Sequence, residues 1–366
     1  MKKKFAILLV LVLVVGSFAG CGEKAEPVQK EDGKDAETTE AVAEEPAAEE
    51  PAAETKPLEL IVAHNQTSLE NPYAYGIIAF KEKVEELSDG NIEVTLFHGS
   101  LGESESELIE KLQMGAASMV VASPGFMTSI GVPEVDIFSL LYLFNGFDHW
   151  ESALDGEFGN AMKDVVLDKT GNDFKIMGYW SAGVRDFYGK VPVTSPADVD
   201  GLTIRTQTSG VVKDFWEQAG AVPTSVSWGE LYQVLQQGVV DSAENDYTNL
   251  MLKEHHKTSN GKYISETDHD YTTRLFLMDG NFYNGLTADQ QAWIDEASEF
   301  ATEKEREVTY SMKEESKAQV IADGAIVTEN ADIDIEAFKA IAIPIQEKFA
   351  EDNDMTKYLE MVRAAE

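Results

Sequence analysis

From Thr287 to about Ala322 the chain carries one unbroken helical pattern, with Trp293, Ile294, Ala297, Phe300, Ala301 and Val308 recurring along it. A helix of thirty-odd residues is longer than one small domain needs and long enough to bridge two. The length of 366 residues agrees, since a domain takes roughly 150 residues. Ahead of that helix, strands and helices alternate. Strand patterns cover Leu58–His64, Ile92–Phe97, Met119–Ala122, Phe174–Trp180, Leu202–Arg205 and Arg274–Met278, with a strand-like turn at Val239 and Val240. Helical patterns cover Pro72–Leu87, Glu103–Met114, Val211–Gln218 and Gly229–Gln237, and two more near Ile335–Glu351 and Thr356–Ala364 close the chain. Such alternation implies α/β architecture with mostly parallel sheets. A hydrophobic fraction of 43% is enough to build its core.

The N-terminus sets the compartment. Met1–Lys4 is positively charged, Phe5–Val15 is an apolar run of eleven residues, and small residues follow at Gly16, Ser17, Ala19 and Gly20. This is the layout of a secretory signal peptide over 1–20, too short for a span of about 20 apolar residues. The single cysteine, Cys21, stands at the cleavage position and resembles the lipid-modified Cys of a bacterial lipobox, with Phe18 where Leu is usual. A diacyl anchor supplies two chains, enough for stable attachment to a membrane. Residues 21–57 then form an acidic tether with 12 acids and 4 bases, rich in Ala, Glu, Pro and Thr and without apolar periodicity. It cannot repay the entropy of ordering.

Charge and composition exclude several functions. With 66 acids against 29 bases, for a net −37, the chain has no basic surface for nucleic acid. One cysteine makes neither an internal disulfide nor a multi-thiolate metal site. No nucleophile elbow and no phosphate-binding glycine loop occurs. Neither an enzyme, a cofactor nor a metal is expected. The His255–His256 pair reads as part of a surface helix, because adjacent side chains point to different sides. Most of the acidity lies on the body and reads as solvated surface.

The arginines number only five. Arg306, among Glu303, Glu305 and Glu307, and Arg363 near the C-terminus read as surface charges; Arg274 opens an apolar strand and is ambiguous. Arg185 follows a buried-type strand, and Arg205 ends one just before Thr206, Gln207, Thr208 and a helix start. Ligands of open α/β sheets lie outside the carboxyl ends of strands, and Arg recognises carboxylates bidentately. Position alone leaves a structural ion pair open for both.

A series of segments then matches one family in order: Phe97–Gly102 (FHGSLG), Glu107–Gly115 (ELIEKLQMG), Gly183–Arg185 (GVR), Ser195–Arg205 (SPADVDGLTIR), Gly220–Thr224 (GAVPT) and Glu230–Asn245 (ELYQVLQQGVVDSAEN). From Leu58 onward the chain resembles the DctP-type substrate-binding proteins of TRAP (tripartite ATP-independent periplasmic) transporters. The resemblance implies a two-lobed venus-flytrap fold, with lobe one from 58–182 and 271–311 and lobe two from 183–270 and 312–366. It implies that an organic acid binds in the cleft and that closure presents it to small and large membrane subunits. It places the carboxylate-clamping arginine at Arg205, a second arginine at Arg185, a hydrogen-bonding Asn245, an aromatic wall at Trp228, and a contact from lobe one at Asn65; Gln207 and Thr208 are lining candidates. Ser123 stands where sialate binders of the family place Glu, which speaks against sialate. Trp228, with Trp180 and Tyr247 near strand or loop ends, suits the apolar faces of a sugar ring, so a sugar acid such as a hexuronate is expected. A C4-dicarboxylate is the alternative within the family. A metal-uptake receptor and a secreted enzyme are distant ones. A monomer is expected.

Overall fold

The computed structural model describes residues 56–102 and 104–365. The signal peptide, Cys21 and the tether up to Thr55 lie outside them. Nine strands form one mixed sheet: β1 (Leu58–His64), β2 (Ile92–His98), β3 (Met119–Ala122), β4 (Phe174–Gly189), β5 (Thr203–Thr206), β6 (Val222–Ser225), β7 (Ser242–Asn245), β8 (Tyr263–Asp279) and β9 (Ile326–Thr328). Their order is β2-β1-β3-β8-β4-β7-β5-β6, with β9 beside β8. β1 pairs parallel with β2 and β3, and β5 parallel with β6 and β7. The expectation of a mostly parallel sheet fails at the centre, where β8 runs antiparallel to β3 and β4, and β4 antiparallel to β7.

The two central strands are far longer than the patterns Phe174–Trp180 and Arg274–Met278 predict. β4 has 16 residues and β8 has 17. Their extra halves carry Ser181, Arg185, Asp186, Glu266, His269 and Asp270, which read as loop in sequence yet are buried. Register shifts at Ile176/Gly178, Ser181/Val184 and Arg185/Phe187 mark bulges between the two strands. Gly183 sits in one with φ of 74°, where an added Cβ would meet Asp246 Cβ at 2.7 Å. Only glycine fits there.

The helices are α1 (Pro72–Leu87), α2 (Glu105–Gln113), α3 (Gly125–Thr128), α4 (Phe147–Asp155), α5 (Glu157–Lys169), α6 (Gly210–Gln218), α7 (Leu231–Gln236), α8 (Tyr247–Leu252), α9 (Gly280–Asn284), α10 (Ala288–Ala322), α11 (Ile335–Asp352) and α12 (Thr356–Arg363). Local chemistry starts several of them. Asn71 accepts from Tyr73 N at 3.0 Å with Pro72 at the first position of α1, and Ser104 caps α2 through Glu107 N at 3.2 Å. Thr287 and Gln290 form a capping box on α10, whose 35 residues bear out the long helical pattern.

α10 packs on α1, β4 and α8. Around its first half lies a core of Leu60, Val62, Ile77, Phe80, Phe276, Ile294 and Ala301. Near its far end lies a separate core of Tyr188, Leu231, Leu235, Leu250, Ile264 and Val320. A third and larger core, with Phe138, Trp150, Phe158, Phe174, Phe215, Trp216 and Phe338, covers residues from both ends of the sheet. Each large apolar side chain so buried contributes about 1.5–3 kcal/mol. α4 and α5, which supply Trp150 and Phe158, have no counterpart among the sequence-derived elements.

Two further sequence readings are corrected by packing. Arg306 is buried: Nη1 and Nη2 hold Asp155 at 2.6 and 2.9 Å, and Nε donates to the Tyr179 carbonyl at 3.0 Å. His255 and His256 are also buried, His255 Nδ1 lying 2.9 Å from the Tyr188 hydroxyl and His256 Nε2 3.1 Å from Asp323 Oδ2. Burial holds His255 down at about 3, so it is neutral. No described helix is long and apolar enough to cross a membrane.

Candidate functional site

Five strands end at one place. β1 runs out into Asn65 and Gln66, β3 into Ser123, β5 into Gln207 and Thr208, β6 into Val226, and Asn245 is the last residue of β7. All of these line a cavity of about 270 Å³, together with Tyr73, Glu105, Arg185, Arg205, Trp228, Asn249 and Arg274. The seven candidates Arg205, Arg185, Asn245, Trp228, Asn65, Thr208 and Gln207 therefore come together on one wall system. Asn65, Arg205, Gln207, Thr208 and Asn245 lie at or just past strand carboxyl ends, the arrangement expected for a ligand site in an α/β sheet, while Arg185 lies within β4 and Trp228 in the loop after β6.

Trp180 and Tyr247 do not join them. Trp180 is fully buried, stacks on Phe276 at 4.6 Å between ring centroids, and donates Nε1 to Thr302 Oγ1 at 3.0 Å. The Tyr247 hydroxyl donates to Glu266 Oε1 at 2.9 Å, away from the cavity. Trp228 is the tryptophan of the lining, and Phe126 and Tyr73 are its other aromatic residues.

The two expected arginines differ in state. Arg185 is 1% exposed, and both of its terminal nitrogens have partners within the protein. Its Nη2 donates to the carbonyl of Glu244 and lies 3.3 Å from Glu244 Oε1, and Nη1 donates to Asn245 Oδ1 at 3.2 Å. His269 Nε2 is 2.8 Å from the other Glu244 oxygen. Burial pushes the Glu244 carboxyl up, but the charge of Arg185 and the His269 contact outweigh it and hold the group down at about 2. Arg185 thus has its counter-ion within the protein.

Arg205 has none. It is 6% exposed, and Nε donates to the Val226 carbonyl at 3.0 Å. Among the described residues its terminal nitrogens have no hydrogen-bond partner and no carboxylate within ion-pair distance. Trp228 backs the guanidinium, with Arg205 Cζ 5.9 Å from its ring centroid. Burial, then repulsion from Arg185, pull the Arg205 pKa down to about 10. A buried guanidinium lining a cavity, with no ion-pair partner among the described residues, has the forked donor geometry that suits a carboxylate.

The remaining walls are polar and hydrogen-bonded to one another. Trp228 Nε1 donates to Gln66 Oε1 at 3.1 Å, joining the 225–228 loop to the end of β1. Gln207 Oε1 accepts from Ser123 Oγ at 3.2 Å and from Arg274 Nη2 at 3.1 Å. Asn71 Nδ2 donates to Asn249 Oδ1 at 3.2 Å. The Thr208 carbonyl lies where a Cβ on Gly125 would be, 2.1 Å away, so glycine is required on α3 for the two segments to meet. Asn245 Oδ1 is taken by Arg185 and by Asp246 N at 3.0 Å, leaving its amide nitrogen to face the cavity.

Sequence reasoning missed Gln66, Tyr73, Glu105, Asn249 and Arg274 as lining residues. The strand-end rule that singled out Arg205 also applies to Gln66. Arg274 gave no such signal, because it lies within β8 rather than at its end. No group of three or more His, Cys, Asp or Glu placed to hold a metal occurs among the described residues.

Comparison with known proteins accords with this geometry. Residues 62–353 match the model of the family described as bacterial extracellular solute-binding protein, family 7. The C4-dicarboxylate-binding periplasmic protein DctP of Rhodobacter capsulatus is 27% identical over 287 residues, 77% of this chain and 84% of that protein. A TRAP periplasmic solute-binding protein of Sulfitobacter sp. NAS-14.1, solved with bound β-D-galacturonate, superposes with a TM-score of 0.77 at 29% identity, covering 83% of this chain and 99% of that one. A second, from Roseobacter denitrificans with bound β-D-glucuronate, gives 0.78 at 26% identity, covering 84% and 100%. The fold shared with these proteins is two-lobed, and their family acts outside the cytoplasm. The chain belongs to the DctP family, the bacterial extracellular solute-binding proteins of family 7 that serve TRAP transporters.

Proposed function

We propose that this protein captures a sugar acid of the hexuronate class between its lobes and delivers it to TRAP membrane subunits. The observation that carries the reading is Arg205: a buried guanidinium with its terminal nitrogens turned into the cavity and no carboxylate of its own. The amide and hydroxyl groups of Asn65, Gln66, Ser123, Gln207, Asn245 and Asn249 around it suit a polyhydroxylated ligand better than a bare chain. Two structural neighbours were solved with galacturonate and glucuronate, which supports the same class. A C4-dicarboxylate is the second reading, favoured by the Rhodobacter relative and by Arg274 as a further cation on the wall.

The lobes are inferred to comprise 58–182 with 271–311, and 183–270 with 312–366. The two smaller cores support this, since each falls wholly within one of these sets. Asn65, Asn71 and Ser123 would then face Arg205, Gln207, Trp228 and Asn249 across the cleft.

The test is thermal shift and calorimetry with D-galacturonate, D-glucuronate, D-gluconate, malate and succinate. A ligand at a hundred times its Kd stabilises a native state by about 2.7 kcal/mol, which raises the Tm of a chain this size by roughly 3–5 °C. A uronate is expected to do so. No shift with any of the sugar acids would end the reading.

The N-terminal sequence supports attachment through a lipid on Cys21, with the protein acting as a monomer at the outer face of a bacterial membrane. Cys21→Ala is expected to abolish incorporation of labelled palmitate and to release the protein from the membrane fraction. Unchanged labelling would refute the anchor.

A further inference from the structure

The cavity lining holds three guanidinium groups, Arg185, Arg205 and Arg274, but one carboxylate, Glu105. Arg185 is matched by Glu244 behind it. That leaves Arg205 and Arg274 as lining cations, with Glu105 as the lining anion that acts on both. Glu105 is the first residue of α2, directly after the capping Ser104, a position where an acid is favoured by the helix terminus. It is 8% exposed, and its Oε2 accepts from Ser123 N at 2.8 Å while Oε1 lies 3.5 Å from Asn65 Nδ2. A carboxylate has about four acceptor positions. These two contacts leave acceptor capacity facing the cavity.

Arg274 is held in place by Gln207, by the Thr273 carbonyl at 3.0 Å and by the Tyr73 side chain, with no carboxylate in ion-pair distance among the described residues. Its charge is therefore offset by Glu105 in the lining and by the buried Asp270, not through a direct pair. A ligand with one carboxylate on Arg205 leaves Glu105 free to accept a hydroxyl. A ligand with a second carboxylate brings that group into a space which Glu105 already fills with negative charge.

We propose that Glu105 is the specificity-determining residue of this site: it accepts a ligand hydroxyl and, by its charge in the cavity lined also by Arg274, excludes acids that carry a second carboxylate. This rests on the reading of Arg205 as the clamp for the first carboxylate, and it decides between the two ligand classes of the preceding section.

The experiment is calorimetry with D-galacturonate and with galactarate, which keeps the carbon skeleton and adds a second carboxylate. Four proteins are compared: the parent, Glu105→Gln, Glu105→Asp and Arg205→Ala. The parent is expected to bind galacturonate at least tenfold more tightly than galactarate. Glu105→Gln is expected to weaken galacturonate about tenfold and strengthen galactarate about tenfold, the scale of one charge-assisted hydrogen bond. Glu105→Asp keeps the charge and withdraws the acceptor, so it is expected to weaken galacturonate while still rejecting galactarate. An unchanged galacturonate-to-galactarate ratio in Glu105→Gln overturns the inference, and so does a parent that prefers galactarate. If Arg205→Ala still abolishes binding of either acid in those cases, the carboxylate-clamp reading survives alone. If the parent binds neither acid, or Arg205→Ala binds as the parent does, the clamp falls and the inference with it.

Discussion

Arg205→Ala is expected to lose about 2–5 kcal/mol of sugar-acid affinity, the range measured when one partner of a buried charged pair is removed. The physical basis is the state of the side chain before ligand arrives. Its guanidinium is buried, its one protein hydrogen bond goes through Nε to Val226, and Arg185 repels it. The same state makes a second expectation. Removing an uncompensated buried cation takes away a desolvation penalty, so unliganded Arg205→Ala should melt no lower than the parent. Arg205→Lys keeps the charge but not the planar fork, and is expected to bind weakly as well. Calorimetry and unliganded melting curves, measured together, check both halves. Near-parental affinity in Arg205→Ala would remove the clamp, and a large drop in its unliganded Tm would show that the residue has a structural partner.

Glu244→Gln has the opposite signature. It leaves Arg185 buried without a counter-ion between β4 and β7, and breaking such a pair costs about 3–5 kcal/mol of folding stability. The pH dependence follows from the folded-state pKa of about 2 against the ordinary 4.5. A depressed carboxylate stabilises the fold fully above its unfolded pKa. That contribution falls away as pH drops from about 4.5 toward 2. Urea unfolding at pH 7 and pH 3 should therefore show a large gap between parent and variant at pH 7 and a smaller one at pH 3. A gap under about 1 kcal/mol at pH 7, or one that does not shrink with acid, would contradict the ion-pair account. The two arginines that resemblance groups together thus differ in state: both line the cavity, but Arg185 has Glu244 in ion-pair distance and Arg205 has no such partner among the described residues.

Much of this was legible in the chain because the signals were local. α1 and α10 announce themselves through their apolar faces, and Arg205 through a strand end followed by polar residues and a helix start. The halves of β4 and β8 beyond Trp180 and before Arg274 were not legible. Their polar side chains argue for loop, and they become strand because each backbone pairs with the other while Arg185, Glu244 and His269 satisfy one another. Trp180 and Tyr247 misled for a related reason. An aromatic residue near a strand end can turn either way, and here two separate cores claim them. Arg306 and the His255–His256 pair were read as surface because their partners Asp155, Tyr188 and Asp323 are distant in sequence.

By itself, then, the sequence determined the α/β alternation, the long helix, the family and the arginine at the end of β5. Those are properties of short windows, or of ordered windows along the chain. Only the tertiary structure decided which charges are spent inside the protein and which face the cavity. Charge compensation is a matter of distances under about 4 Å between residues tens of positions apart, and no periodicity records it. It separates Arg185 from Arg205, and it leaves Glu105 and Arg274 lining one cavity without a direct pair.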